Sequence, residues 1–239
     1  MITLILPIHN KGSVLDYVFS DLQQLMQAYI SAGEFRLLMI NDGSTDNSAE
    51  VIERIRKEHN YVSVRSLPEN KGKGFAIIEG LLMAEAQSRI TGYLDADRDI
   101  DISIITSMIA SIETGGSNLA IGSKYLPKSK ISAPLSRRIL SRVFRFLTRC
   151  LLDLKVSDTQ TGIKLFDREF LHMCKNNKFS AHSFSFDLEL LTLASKNNLN
   201  ISEHPVTITK DFGGNVSFVS GMNALQDLMV LRNRYKSGD

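Results

Sequence analysis

Cysteine is scarce in this 239-residue chain: there are two, Cys150 and Cys174. That number excludes a disulfide scaffold and a four-cysteine zinc site. Both read most simply as small buried apolar groups in a reducing compartment. Long apolar runs are absent as well. No stretch of about 18 apolar residues exists, so no transmembrane helix is expected. The apolar start, Met1-Ile-Thr-Leu-Ile-Leu-Pro7, lacks a basic leading segment and a small-residue cleavage site, so it does not read as a signal peptide. The expected address is the cytoplasm. There is no Gly-x-Ser-x-Gly, which removes support for that type of hydrolytic nucleophile. The five histidines, His9, His59, His172, His182 and His204, include no pair at metal-ligand spacing. Neither internal repeats nor a linker can be seen, and the chain reads as one domain.

What is present is ordinary globular material, 43% hydrophobic and 23% charged, which excludes a disordered or low-complexity protein. The length suffices to bury roughly 70% of the unfolded surface without staples. The net charge of +2 hides an asymmetry. Between Lys128 and Lys155, eight cations face Asp153 alone, a local +7 that leaves −5 elsewhere. Such a segment is suited to an anionic partner.

The first half alternates strand and helix. Strands are expected at Ile2–Ile8, Phe35–Ile40, Val62–Leu67 and Arg89–Leu94. Helices are expected from Ser13 to Ile30, around Val51, Ile52 and Ile55, and from Gly72 to about Ser88. Four such units predict a parallel, doubly wound sheet covered on both faces, with ligands beyond the carboxyl ends of its strands. Three polar clusters follow strands one, two and four: His9-Asn10-Lys11, Asn41-Asp42-Gly43-Ser44 and Asp95-Ala96-Asp97-Arg98-Asp99. They should share one rim. The second half is less regular. Helices are expected near Ile102–Ile112, Phe184–Lys196 and Met222–Tyr235, and strands near Asn118–Gly122, Gly162–Phe166 and Ile201–Thr209.

The three closely spaced carboxylates Asp95, Asp97 and Asp99 repel one another unless a cation joins them. Oxygen ligands suit Mg²⁺ or Mn²⁺, especially when a diphosphate completes the shell; a solvated acidic turn is the alternative. A calcium loop of EF-hand type fails because Ile100 and Thr106 stand where Gly and Glu are needed. A haloacid-dehalogenase-type phosphatase fails because Asp99 stands where Thr is needed. The Asn70-Lys71-Gly72-Lys73-Gly74 segment can hold a phosphate at a helix start, or can simply open a helix. It matches neither the dinucleotide fingerprint nor the P-loop. Further on, Arg138, Arg142, Arg145 and Arg149 form one helical stripe, beside an apolar face including Phe144, Leu147 and Leu151. This pattern suits a helix lying in a membrane interface, with arginines on anionic headgroups. A helix packed on its own core with a solvated basic face is the alternative. Nucleic acid fits poorly, since the stripe lacks exposed aromatics.

Taken in order, these pieces resemble the inverting glycosyltransferases of family two. The resemblance rests on Leu6-Pro-Ile-His-Asn10, Ile40-Asn-Asp-Gly-Ser-Thr-Asp46, Asn70-Lys-Gly-Lys-Gly74 and Leu94-Asp-Ala-Asp97. It extends through Ile121-Gly-Ser-Lys-Tyr125, Arg137-Arg138, Asp158-Thr-Gln-Thr-Gly-Ile-Lys-Leu-Phe166, Phe186-Asp-Leu-Glu-Leu-Leu191 and Glu203-His-Pro-Val206. These later segments are similar to the polyprenyl-phosphate branch, which includes dolichyl-phosphate glucosyltransferases and mannosyltransferases. The resemblance implies a GT-A fold: a Rossmann-like, doubly wound, mostly parallel α/β sheet with helices on both faces. Residues 1–100 would form the nucleotide-sugar half and 101–239 the acceptor half. Pro7, His9, Asn10 and Asp42 would hold the nucleoside, with Lys73, Asp95 and Ala96 completing the donor site. Asp97 and Asp99 would bind a divalent metal, Mg²⁺ or Mn²⁺. Lys124, Arg137 and Lys210 would face an acceptor phosphate, and Asp97 and Asp187 would be the catalytic carboxylates. Asp187, with Glu189 in reserve, would serve as base if the acceptor is a sugar hydroxyl; a phosphate acceptor needs little such help. The chain departs from the family at His9 (often Tyr), Lys11 (usually Glu), Lys124 and Lys210 (usually Arg); lysine keeps the charge but loses the bidentate fork.

The resulting expectation is hexose transfer from a nucleotide sugar, UDP-glucose ahead of GDP-mannose, to a polyprenyl phosphate on the cytoplasmic face of a membrane. Transfer to a sugar hydroxyl of a surface polysaccharide or glycolipid, and a nucleotide-binding module without transfer activity, are the alternatives.

Overall fold

A computed structural model describes residues 1–130, 145–179, 185–208 and 228–234. Seven strands form one sheet in the order β3-β2-β1-β4-β6-β5-β7. They are β1 (Ile2–Ile8), β2 (Phe35–Asp42), β3 (Val62–Leu67), β4 (Ile90–Leu94), β5 (Leu119–Ser123), β6 (Ile163–Asp167) and β7 (Ile201–Pro205). β1 pairs in parallel with β2 and β4, β2 with β3, and β5 with β7. β6 runs antiparallel to both β4 and β5. The doubly wound, mostly parallel α/β sheet is therefore present, with one reversed strand inserted where its two parts meet.

Strand alternation explains the layers. In β1, Ile2, Leu4, Leu6 and Ile8 point to one face and Ile5 to the other. The first face is covered by α1 (Leu15–Leu25), α3 (Ser48–Glu58) and α5 (Ile104–Glu113), through Val18, Leu22, Ile52, Ile55, Ile105 and Met108. The second is covered by α4 (Lys73–Met83), α6 (Arg168–Asn176) and α7 (Phe186–Lys196), through Ile77, Leu81, Phe170, Leu171, Leu188 and Leu191. Helical residues 145–152 and 228–234 join that second layer, with Leu152, Leu228 and Leu231 buried in it.

The structure departs from expectation in several places. The helix expected from Ser13 to Ile30 breaks at Met26 into α1 and α2 (Gln27–Ser31). α4 ends at Met83, short of Ser88, where Lys175 from α6 donates to the terminal carbonyls of Leu82 and Ala84. Helix α6 itself was unforeseen. It starts from Asp167, whose carboxylate accepts the Phe170 N–H as an N-cap. Cys174 is buried as expected, but Cys150 is exposed. The last helix is described only over 228–234, and the expected loop at Phe212–Val219 lies outside the described residues.

Candidate active site at the strand ends

The rim expected from the three polar clusters forms through backbone and side-chain bonds. His9 Nδ1 lies 2.8 Å from the Asp42 carbonyl. Asn10, at positive φ, donates its N–H to Ser44 Oγ at 3.1 Å and accepts the Thr45 N–H at 2.8 Å. These bonds tie the β1 and β2 loops together. Asp42 is buried and committed to the next loop, its carboxylate accepting the Lys71 N–H at 2.7 Å and the Gly72 N–H at 2.8 Å. Gly72 has φ 95, a left-handed conformation that glycine adopts without strain. The turn so held opens α4 and presents Lys73.

Lys73 reaches the end of β4, with its ammonium 2.7 Å from Asp95 and 3.8 Å from Asp187. Asp187, in the first turn of α7, is buried and takes a second ammonium, that of Lys164 on β6, at 2.6 Å. The Tyr93 hydroxyl also donates to it. Lys164 is fully buried and donates to the Thr161 carbonyl at 2.9 Å. Lysine and aspartate thus alternate from core to rim: Lys164, Asp187, Lys73, Asp95. Burial raises the Asp187 pKa, but Lys164, Lys73 and the Tyr93 hydrogen bond outweigh it, leaving Asp187 below the ordinary carboxylate range. Burial also opposes the charge on Lys73, yet Asp187, Asp95 and Asp97 together raise its pKa. Burial dominates at Asp95, whose pKa is raised despite Lys73.

Asp187 therefore needs reassessment as a base. A carboxylate held below its usual pKa, ion-paired and hydrogen-bonded, accepts a proton poorly. Glu189, the reserve, is buried and ion-paired to Arg234. Both candidate bases are engaged in the fold.

The acidic turn continues past β4. Ala96 is buried, and Asp97 and Asp99 are half-buried, the Asp97 carboxylate accepting the Asp99 N–H at 3.2 Å. Among the described residues no three His, Cys, Asp or Glu side chains converge as a ready cage. Asp97 and Asp99 place two further hard carboxylate donors on this turn, beyond the Asp95–Lys73 pair. Two carboxylates suit a cation that takes its remaining ligands from phosphate and water.

Pro7 is half-buried at the end of β1. Lys124 lies at the end of β5, its N–H donating to Asp158 at 2.9 Å and its ammonium 3.6 Å from the same carboxylate. Asp158 also accepts from Thr161, and Glu203 accepts the Ser157 and Asp158 N–H groups, fixing this loop to β7. Arg137, Arg138, Arg142 and Lys210 lie outside the described residues. Arg149 is exposed, whereas the Arg145 guanidinium covers the Tyr125 ring at 3.6 Å. Single-site reading missed Tyr93 and Lys164. The available signal for Lys164 was a lone charge inside the apolar strand Ile163-Lys-Leu-Phe166, which burial obliges to find a partner.

Residues 3–173 match the family described as glycosyl transferase family 2. Dolichyl-phosphate beta-glucosyltransferase of Drosophila melanogaster is 30% identical, over 99% of this chain and 76% of that protein. Glycosyltransferase AglD of Haloferax volcanii is 23% identical over 86% of this chain; the match spans 32% of AglD's own length. In structure, glucosyl-3-phosphoglycerate synthase from Mycobacterium tuberculosis, in complex with Mn²⁺, uridine diphosphate and glucosyl-3-phosphoglycerate, superposes with a TM-score of 0.68. That likeness covers 98% of this chain and 80% of the other at 17% identity, and it carries the fold, which is GT-A. With more than half its length matched by the family and the expected rim assembled at the strand ends, the chain belongs to glycosyl transferase family 2.

Proposed function

We propose that this chain is a single transferase domain that moves glucose from UDP-glucose to a polyprenyl phosphate, with inversion at the anomeric carbon. The observation that carries the reading is the arrangement at the end of β4: the Lys73 ammonium, Asp95 beside it, and Asp97 and Asp99 on the following turn. Cation and carboxylates there suit a nucleoside diphosphate, and relatives similar over 99% of the chain are dolichyl-phosphate glucosyltransferases. Asp97 and Asp99 would hold Mg²⁺ or Mn²⁺, which when bound supplies counter-charge and Lewis acidity to the diphosphate leaving group. Lys73 orients the donor, and the Asp42-held loop shapes its nucleoside side. Lys124 meets the acceptor at the end of β5, with Arg137 and Lys210 assigned to the same anion.

The state of Asp187 and Glu189 favours phosphate over hydroxyl as acceptor. An ionised phosphate oxygen attacks the anomeric carbon without surrendering a proton, so it requires no base. A hydroxyl requires one, and the two carboxylates offered for that task are ion-paired. The acceptor is a membrane lipid, and no helix among the described residues is long and apolar enough to cross a membrane. Peripheral contact at the cytoplasmic face through the basic segment completes the proposal.

The test is incubation with separately labelled UDP-glucose and GDP-mannose, a short polyprenyl phosphate, and Mg²⁺ or Mn²⁺. Labelled lipid from UDP-glucose is expected; no product from either donor overturns the reading. Asp97→Asn should lower turnover by about a hundredfold or more, the scale of losing a site that stabilises developing charge. Its melting temperature should be unchanged and its Mn²⁺ affinity, followed by electron paramagnetic resonance, should fall. Near wild-type turnover at saturating donor would remove Asp97 from the metal site.

A further inference from the structure

We propose that Lys164 is a positioning residue: by satisfying Asp187 it leaves the Lys73 ammonium available to Asp95 and to the anionic ligand at the rim. The inference rests on the nucleotide-sugar reading for its ligand, but its structural part stands independently. Asp187 presents Oδ1 to Lys164 at 2.6 Å and Oδ2 to Lys73 at 3.8 Å. Lys73 is closer to Asp95, at 2.7 Å. Both ammoniums also lie near the Tyr93 ring, Lys73 at 5.8 Å and Lys164 at 5.5 Å from its centre.

A strut between β6 and α7 needs only Lys164 and Asp187. The third and fourth charges change what the pair does. Lys73 stands between two carboxylates, and its preference depends on which is less satisfied. Asp187 is buried, and a buried carboxylate left without a counter-charge is strongly disfavoured. At present Lys164 and the Tyr93 hydroxyl meet that demand. Without Lys164 the nearest cation among the described residues is Lys73, which has about an ångström to travel. It would leave Asp95, and the rim would lose its cation to the core.

This predicts a rescue by a second substitution. In crystals of Lys164→Met, Lys73 Nζ should lie within hydrogen-bond distance of Asp187 and away from Asp95. In Lys164→Met with Asp187→Asn, the demand has gone, and Lys73 should return to Asp95. UDP affinity measured by calorimetry should follow. It should fall about tenfold in the single variant, the loss of one charge-assisted hydrogen bond, and recover to within about threefold of wild type in the double. In a Lys73→Met background, Lys164→Met should not alter UDP affinity. A strut instead predicts that Lys164→Met weakens UDP binding equally in the Lys73→Met background and leaves Lys73 on Asp95. Lys73 remaining on Asp95 in Lys164→Met, or an unrescued double variant, overturns the proposal. Should Lys164→Met fail to fold, Tyr93→Phe removes one donor from Asp187 and should weaken UDP binding in the same direction, by about threefold; unchanged affinity there counts against the proposal. If wild type binds no UDP with either metal, the functional reading fails, while the position of Lys73 in the variants still decides this one.

Discussion

A Cβ added to Gly162 would stand 2.1 Å from the Asp95 carboxylate. The two residues also share a backbone bond, the Asp95 N–H donating to the Gly162 carbonyl at 2.8 Å. The Asp95 side chain occupies the space a larger residue would fill. Gly162→Ala should therefore displace Asp95 from Lys73. The expected cost is about 1–3 kcal/mol of stability, the usual range for overpacking, with weaker UDP binding by calorimetry; denaturant titration gives the first quantity. Asp95 and Lys73 could be found from the sequence because each sits in a short run of unusual residues at the end of an element. Lys164 and Tyr93 could not be assigned a role in that way. Their partner, Asp187, is distant in sequence, and only the packing of α7 over β4 and β6 brings the three together.

Elements whose apolar periodicity is regular were legible: six of the seven strands end within two residues of expectation, and β7 ends four residues early. Helix α6 was not, because its signal is mostly local, an N-cap followed by a short buried face of Phe170, Leu171 and Cys174. The cap is braced by Asn118, which donates to the other Asp167 oxygen at 2.8 Å. Asp167→Ala should lower stability by about 1 kcal/mol, read from the midpoint of urea unfolding with its slope unchanged. In the basic segment the helical wheel separated arginines from apolar residues, whereas Phe146, Arg149 and Cys150 are exposed together and Leu152 faces inward. An exposed aromatic ring next to a cation is suited to the headgroup region. Binding to anionic vesicles at low salt is expected, and each arginine near the surface contributes roughly 1 kcal/mol. Flotation of Arg149→Glu should show a reduced bound fraction, and Phe146→Ser a loss that salt does not mimic.

Across the whole molecule, the buried charges give stability a pH dependence. The Asp187 pKa is lower in the folded chain than its ordinary value, so its contribution is complete above that range and fades as pH falls through the folded value. Asp95, raised by burial, has the opposite sign and opposes folding where it is ionised. Asp187→Asn should cost about 3–5 kcal/mol at pH 7, since it strands Lys164. The deficit relative to wild type should shrink below about pH 4, as urea titrations at pH 7 and pH 3 would show. The alternating strands and helices of the first half made the sheet and the polar rim at its strand ends readable. The reversal of β6 was not, because a strand buried on both faces has the same apolar pattern in either direction.

That reversed strand has a consequence for how the molecule is made. Emerging from the ribosome, β4 has β1 on one side, but its other neighbour, β6, follows roughly 70 residues later. Until then the free edge of β4 is a template for wrong pairing, and chaperones have reason to attend to it. Gly162 and Asp187 arrive late too, and Asp95 and Lys73 have no settled place before them. Synthesis order therefore delays ligand binding: a nascent chain carrying every donor motif of the first hundred residues should remain unable to capture a nucleotide until α7 has been delivered.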